Sequence, residues 1–293
     1  APLSALPPDG GGGGMIRIVT DSTVNITKSE AGKMGLTVLP MGYTVDNQPY
    51  LESYTDCNGQ FEPLLQSRNF TTNQVSTESF VSAFSEIARK GDETLCIVIS
   101  SRLSGTYRNA FSAAEQVNRY YGGEKVLVLD SFSTAGAMLL LCRRALELSK
   151  TVSSLHELAE RMQQERAKTG VVFSLDSMDA LRRSGRIGIV RQSVSTILNI
   201  RPVLRCQDGA VISLGTARGR TEQMKKLIDA MSNNPKQIVV NASQKLQQEQ
   251  LFQQLLVHLR ERFPKAQIAA HGVGPILSHH LGRGAIGISW MEE

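Results

Sequence analysis

Two short segments leave this chain little choice of fold. Leu95-Cys-Ile-Val-Ile99 and Val126-Leu-Val-Leu129, with Lys125 ahead of the second, are apolar on both faces of an extended strand. Both faces therefore need cover, which a parallel sheet flanked by helices supplies. Helix signals surround them. Phe80, Ala83, Phe84 and Ile87 recur at helical spacing up to Gly91, and Tyr107, Ala110, Phe111 and Ala114 share one face of a helix that stops at Gly122-Gly123. An earlier β-rich run at 16–20 precedes Thr27 and Glu30, whose spacing is that of a capping box. Strand and helix alternate, which predicts an N-terminal α/β half on a parallel sheet.

The pattern pauses at 150–153, then Ser154 and Glu157 repeat the capping-box spacing. The chain divides there into a parallel-sheet α/β domain at 15–152 and a C-terminal mixed α+β domain at 153–293. The second contains a strand at 171–175, a basic turn at 182–186, an apolar helix candidate running to Ile200, and short strands near Val203 and Val211. Further runs at 238–241 and 268–270 flank a Gln-rich amphipathic helix carrying Leu251, Phe252, Leu255, Leu256 and Leu259. At 293 residues the chain exceeds the usual domain size of ~100–150, in keeping with two domains. Residues 1–14 read as a flexible leader or a remnant of expression, with Met15 as the natural start.

Composition excludes several classes. A net charge of +5 without a clustered basic stripe argues against nucleic acid. No apolar run approaches the ~18 residues of a membrane-spanning helix. Cys57, Cys96, Cys142 and Cys206 contain no CxxC pair, so they read as buried thiols of a reducing, cytoplasmic compartment. Neither GxGxxG after a strand nor GxxxxGK[ST] occurs, so no nucleotide cofactor is expected.

Ligands of an open parallel sheet sit outside the carboxyl ends of its strands, where loops and helix N-termini present backbone donors. Hydroxyls cluster there: Thr20-Asp21-Ser22-Thr23, Ser100-Ser101-Arg102-Leu103-Ser104-Gly105-Thr106, and Asp130-Ser131-Phe132-Ser133-Thr134. These should line one rim. Ser104 and the Gly105 N–H, just ahead of a helix, suit a carboxylate or phosphate oxygen, although plain helix capping explains Ser104 and Thr106 equally well. Thr71-Thr72-Asn73-Gln74 before another helix offers further donors to the rim, or is a bland polar loop. Asp21 lacks the second acid an aspartyl phosphotransferase needs for Mg²⁺, since position 23 is Thr. His156 and His258 fall on polar helix positions. His279 and His280, read as an extended segment, point opposite ways without a Cys or acidic partner nearby, so no metal site is expected.

Taken together, Val19-Thr-Asp-Ser-Thr23, Ser100-Ser-Arg-Leu-Ser-Gly-Thr-Tyr107, Leu181-Arg-Arg-Ser-Gly-Arg-Ile187, Leu198-Asn-Ile-Arg-Pro202, Arg218-Gly-Arg220 and His280-Leu-Gly-Arg-Gly-Ala-Ile-Gly287 resemble the DegV family across nearly all of 15–293. That resemblance implies a fatty-acid-binding protein, the acyl-carrying subunit of a bacterial fatty acid kinase. A long-chain acid such as palmitate or oleate would lie between the domains, and a separate ATP-dependent kinase subunit would phosphorylate its carboxylate. It further implies that Thr72, Ser104, Gly105 and His280 surround the carboxylate. Thr20, Asp21, Ser22, Ser101, Thr106 and Ser131 would support them, with Arg186 and Arg218 near the mouth and transient membrane contact as a further partner. Two positions depart from the family pattern: Asn73 stands where Ser is usual, and Arg283 where the last Gly-rich turn usually has Pro.

Two other readings compete with a non-catalytic carrier. One is a serine-type acyl hydrolase using Ser104 and His280 with Asp21 or Asp130 as orienter, although the GxSxG elbow is missing. The other is a regulatory or structural module in which a lipid only fills the core.

Overall fold

The structure, a computed structural model, describes residues 14–186 and 199–293. The first part runs β1 (Ile16–Asp21), α1 (Lys28–Met34), β2 (Thr37–Leu39), β3 (Gly42–Val45), β4 (Gln48–Leu51), β5 (Phe70–Asn73), α2 (Thr77–Arg89), β6 (Glu93–Val98), α3 (Thr106–Tyr121), β7 (Val126–Asp130), α4 (Ala135–Leu148) and α5 (Leu155–Arg166). The second runs β8 (Thr169–Ser174), α6 (Asp179–Ser184), β9 (Ile200–Gln207), β10 (Ala210–Arg218), α7 (Gly219–Asp229), β11 (Gln237–Ala242), α8 (Gln244–Gln247), α9 (Gln250–Arg262), β12 (Gln267–His271), α10 (Pro275–Leu281) and β13 (Ile286–Met291).

The expected parallel sheet is present, with strand order β2-β1-β6-β7 and every pair parallel. A small antiparallel sheet β4-β3-β5 lies beside it, and the second part forms a mixed sheet β10-β9-β8-β13-β11-β12. The chain is α/β throughout.

Strand periodicity sorts the side chains into layers. In β6, Leu95 and Ile97 join the core around α4 and α5, while Cys96 and Val98 join the core under α2 and α3. In β13, Ile286, Ile288 and Trp290 pack with α7 and α9, whereas Met291 faces the α4 core. Likewise Val239 of β11 meets α4 while Ile238 and Val240 meet α9. Helix α4 therefore lies between the two larger sheets, against β1 and β6 on one side and β8, β11 and β13 on the other. Ala135 to Cys142 are all buried, and Met138, Leu139, Leu140 and Leu141 are completely so. Each such side chain contributes about 1.5–3 kcal/mol of apolar transfer.

Local signals behave as their chemistry dictates. Thr27 and Glu30 close both halves of the capping box of α1. Ser154 caps α5 through the Glu157 N–H, but the Glu157 carboxylate bonds Ser153, one residue earlier than a box requires. Gly122 ends α3 in the left-handed region, at φ 69°. The buried face of α3 is Thr106, Ala110, Ala113, Ala114 and Val117, not the face that includes Phe111, which is 49% exposed. Small residues let α3 approach the sheet closely, and the aromatic ring is left outside. Residues 182–184, expected in a turn, complete α6, which stops at Gly185. Most of the helix candidate running to Ile200 falls at 187–198, outside the described residues. Helix α5 packs on β6, β7 and α4, which carries the parallel-sheet layers past residue 152.

Because α4 belongs to the cores of both sheets, Leu140→Ala should cost about 2–5 kcal/mol and weaken both parts together. Denaturant titration followed by fluorescence of Trp290, the single tryptophan, and by hydrogen exchange of β6 amides checks this. The two probes should shift by the same concentration; a shift confined to one would show that α4 is not shared.

Candidate functional site

The three hydroxyl-rich loops do gather at one edge of the parallel sheet, and two buried carboxylates brace them. Asp21 takes the N–H of Ile99 (2.7 Å) and both the N–H and hydroxyl of Thr23. Asp130 takes the Ser101 N–H, and the Ser100 N–H donates to the Ser133 carbonyl. Burial pushes the Asp21 carboxyl up, opposed by these hydrogen bonds. With its oxygens committed inward, Asp21 is scaffold and not a phosphorylation site.

Beneath this edge lies a cavity of about 110 Å³ between the two larger sheets. Ile99, Leu103, Val171, Phe173, Val211, Ile276, Leu277 and Leu281 make its wall apolar. One corner is polar: Thr72, Gln74, Ser104, Arg186 and His280 all line it. Thr72 Oγ1 lies 3.1 Å from His280 Nε2, joining residues 208 apart in sequence. The Ser104 hydroxyl accepts the Thr106 N–H (3.2 Å) and shares a 2.9 Å bond with the Thr106 hydroxyl. It thus accepts the first N–H of α3 and lines the cavity at once. At Gly105 the Gln74 amide packs against the backbone: a Cβ there would come within 2.4 Å of Gln74 Oε1 and would push that flexible side chain aside. Arg186 donates from Nε to the Leu103 carbonyl (3.3 Å) and from Nη1 to the Ser184 carbonyl (2.6 Å), anchoring its guanidinium beside Ser104.

His280 is buried, and this pushes its imidazole down to about 3, with Arg186 and His279 adding to the fall. It is neutral at ordinary pH, and its Nδ1 has no hydrogen-bond partner among the described residues. When Nε2–H donates to Thr72 Oγ1, the threonine hydroxyl proton remains to be given to a ligand oxygen.

Both histidines 279 and 280 lie on helix α10, not on an extended segment, and His279 stacks on Phe70 with ring centres 4.2 Å apart. The start of α10 is held by two groups from the first part of the chain. Glu52, with no exposed surface, accepts the Ile276 N–H (2.8 Å) and the Ser22 hydroxyl (2.8 Å), and Asn25 accepts the Gly274 N–H (3.0 Å). Burial pushes the Glu52 carboxyl up to about 7, against those hydrogen bonds, with Asp21 adding to the rise. Nothing in the sequence around Glu52 marks it: it is one acid in a polar stretch.

The remaining candidates lie elsewhere. Thr20, Asp21, Ser22, Thr106 and Ser131 are buried behind the cavity wall; the side chains of the last four brace loops, while the Thr20 hydroxyl has no partner among the described residues. Ser22 also accepts the Met41 N–H, and Ser131 bonds the Ser133 backbone. Ser101 is exposed, and Arg218 is exposed at the start of α7; neither lines the cavity. Asn73 is exposed, and Arg283 donates to the Glu62 carbonyl, so neither departure from the family pattern touches the polar corner. The hydrolase arrangement is absent, since Ser104 bonds Thr106, His280 bonds Thr72, and Asp21 and Asp130 bind backbone. Cys96 and Cys142 are buried, whereas Cys57 is exposed and Cys206 lines the cavity half-buried, so the expectation of buried thiols holds for only two of the four. Among the described residues no group of three or more His, Cys, Asp or Glu is gathered as for a metal, and no helix is long and apolar enough to cross a membrane.

A family profile described as "Uncharacterised protein, DegV family" matches residues 15–293. The DegV domain-containing protein BH3627 of Halalkalibacterium halodurans is 26% identical over 95% of this chain and 99% of its own length. Among solved structures, a DegV family protein from Thermus thermophilus, described by its fatty acid binding, is 25% identical, covers 95% of this chain and 100% of its own, and superposes with a TM-score of 0.81. The fatty acid kinase (Fak) B3 protein of Streptococcus pneumoniae, loaded with linoleic acid, is 22% identical over 95% of this chain and 100% of its own, with a TM-score of 0.79. At that identity the likeness to the second structure is one of fold.

Glu52 generates a pH signature. Its folded value of about 7 exceeds the ordinary 4.5, so the folded state keeps a proton that the unfolded state has lost between those values. Its contribution is fully present below pH 4.5 and is lost as pH rises through 7, on the order of 3 kcal/mol in all. Glu52→Gln keeps an acceptor for Ile276 and should remove this slope. Stability curves of both proteins from pH 4 to 8 check it, and parallel curves would refute it.

Proposed function

This chain belongs to the DegV family, and we propose that it binds one long-chain fatty acid in the cavity between its sheets and presents the carboxylate to a separate ATP-dependent kinase subunit. One observation carries the reading: a largely apolar cavity has a corner where two hydroxyls, a neutral imidazole and a guanidinium meet. That corner suits an anion, and the walls suit a hydrocarbon chain. About sixteen carbons at ~0.8 kcal/mol per CH₂ offer roughly 12 kcal/mol before the costs of binding, so the chain supplies affinity and the corner supplies orientation.

In this reading Thr72 and Ser104 donate to the carboxylate oxygens, assisted by the Gly105 N–H. His280 fixes the Thr72 hydroxyl, and Arg186 offsets the buried charge. The division is an N-terminal parallel-sheet domain holding the head group and a C-terminal mixed-sheet domain supplying most of the chain's wall. The phosphoryl donor is bound by the partner in this reading, and a cytoplasmic location, where ATP is available, is part of the same proposal. The binding of fatty acids by the Thermus thermophilus relative, and the membership of the Streptococcus pneumoniae neighbour in a fatty acid kinase, support the same reading.

Denaturing extraction of the purified protein followed by mass spectrometry should release a long-chain carboxylic acid in near-equal molar amount; protein that neither carries nor takes up such an acid overturns the proposal. Ser104→Ala should change acyl affinity less than about threefold while cutting acyl phosphate formation by tenfold or more with a cognate kinase, since one hydrogen bond aims the carboxylate but adds little to a chain-dominated affinity. Equal phosphorylation of variant and parent would count against it.

A further inference from the structure

A second set of polar groups faces the same cavity and takes no part in the corner just described. Thr134, Asn241 and Ser289 all line it. Ser289 is 1% exposed, and its Oγ has no hydrogen-bond partner among the described residues. Thr134 precedes the first turn of α4, yet its side chain makes no capping bond and its Oγ1 is likewise buried without a partner. Asn241 is committed: Oδ1 accepts the Gly136 N–H (3.1 Å) and Nδ2 donates to the Gly272 carbonyl (3.1 Å).

Asn241 and Ser289 meet at one place, two residues along the chain from Thr134. A Cβ on Gly136 would stand 2.8 Å from both Asn241 Oδ1 and Ser289 Oγ, so both atoms crowd the first turn of α4. That turn presents the positive end of a fourteen-residue helix. In the mixed sheet, Asn241 pairs with Gly287 and Ser289 follows two residues along β13, on the cavity-facing side.

We propose that Thr134 and Ser289, oriented by Asn241 and the start of α4, form a seat for an oxygen carried on the acyl chain, making hydroxy or oxo long-chain acids a ligand class of this protein. The proposal rests on the cavity's being an acyl site. A plain alkyl chain passing the seat leaves two buried hydroxyls unmet, which is costly. A hydroxyl on the chain both donates and accepts, and so satisfies the pair. A second carboxylate is a poor match, because the one cationic side chain among the described lining residues, Arg186, belongs to the other corner.

Lipid-stripped protein titrated with a fluorescent fatty acid, then displaced by stearic acid and by monohydroxystearic acids with the hydroxyl moved along the chain, tests this. One position, or two adjacent ones, should bind about tenfold tighter than the rest of the series. Ser289→Ala, alone and with Thr134→Val, should flatten that preference and make stearic acid bind more tightly. Uniformly weaker binding at every hydroxyl position, as a trapped water satisfying the pair would give, overturns the proposal, as does a preference that survives both substitutions. A flat series over firm stearate binding defeats this inference alone, whereas failure of stearate to bind removes the acyl site with it.

Discussion

Water is excluded from all sides of α4 over its first two turns, and the rest of the molecule is arranged around that fact. Helices pack on sheets through one apolar stripe when their other face meets solvent. Here both faces meet sheets, parallel on one side and mixed on the other. Charge is confined to the far end, where Arg144 pairs with Glu165 and Glu147 close to the helix C-terminus. The start of α4 reaches the cavity with its positive end and no charge of its own. The cavity opens at that start, where Thr134 and Ala135 line it.

Much of the fold could be read in the sequence because amphipathic elements announce themselves. The apolar run at 95–99 needed cover on both faces and has it. The Gln-rich helix buries Phe252, Leu255 and Leu259 as its spacing demands. By contrast α4 escaped notice for a physical reason: a helix buried all round has no polar face, so residues 135–142 carry no periodic signal. The Phe111 face misled because periodicity counts apolar residues, while packing against the sheet selected small ones.

The site was legible in its parts but not in its assembly. Ser104 and Thr72 stood out as donors near helix starts, yet their shared corner depends on His280, brought from the far end of the chain by α10. Glu52 and Asn25, which hold that helix in place, have no local cue, since their partners are backbone groups some 224 and 249 residues away. Ser289 did leave a trace: Gly287 and Ser289 alternate with Ile286, Ile288 and Trp290, the pattern of a strand with a small-residue face against something other than core. Hydroxyl-rich strand ends correctly located the loops, but their acids hold those loops to each other.

Sharing one helix between two sheets also limits how the chain can be divided. A fragment ending at residue 152 would keep α4 and bare the flank that β8, β11 and β13 normally cover, while losing the α5 packing on β6 and β7. The complementary fragment would retain a sheet whose inner surface, with Phe173, Val171 and Val239, faced solvent. Each piece would expose apolar surface that the other covers, so swapping halves between relatives would require matching the sequence of α4 to both hosts.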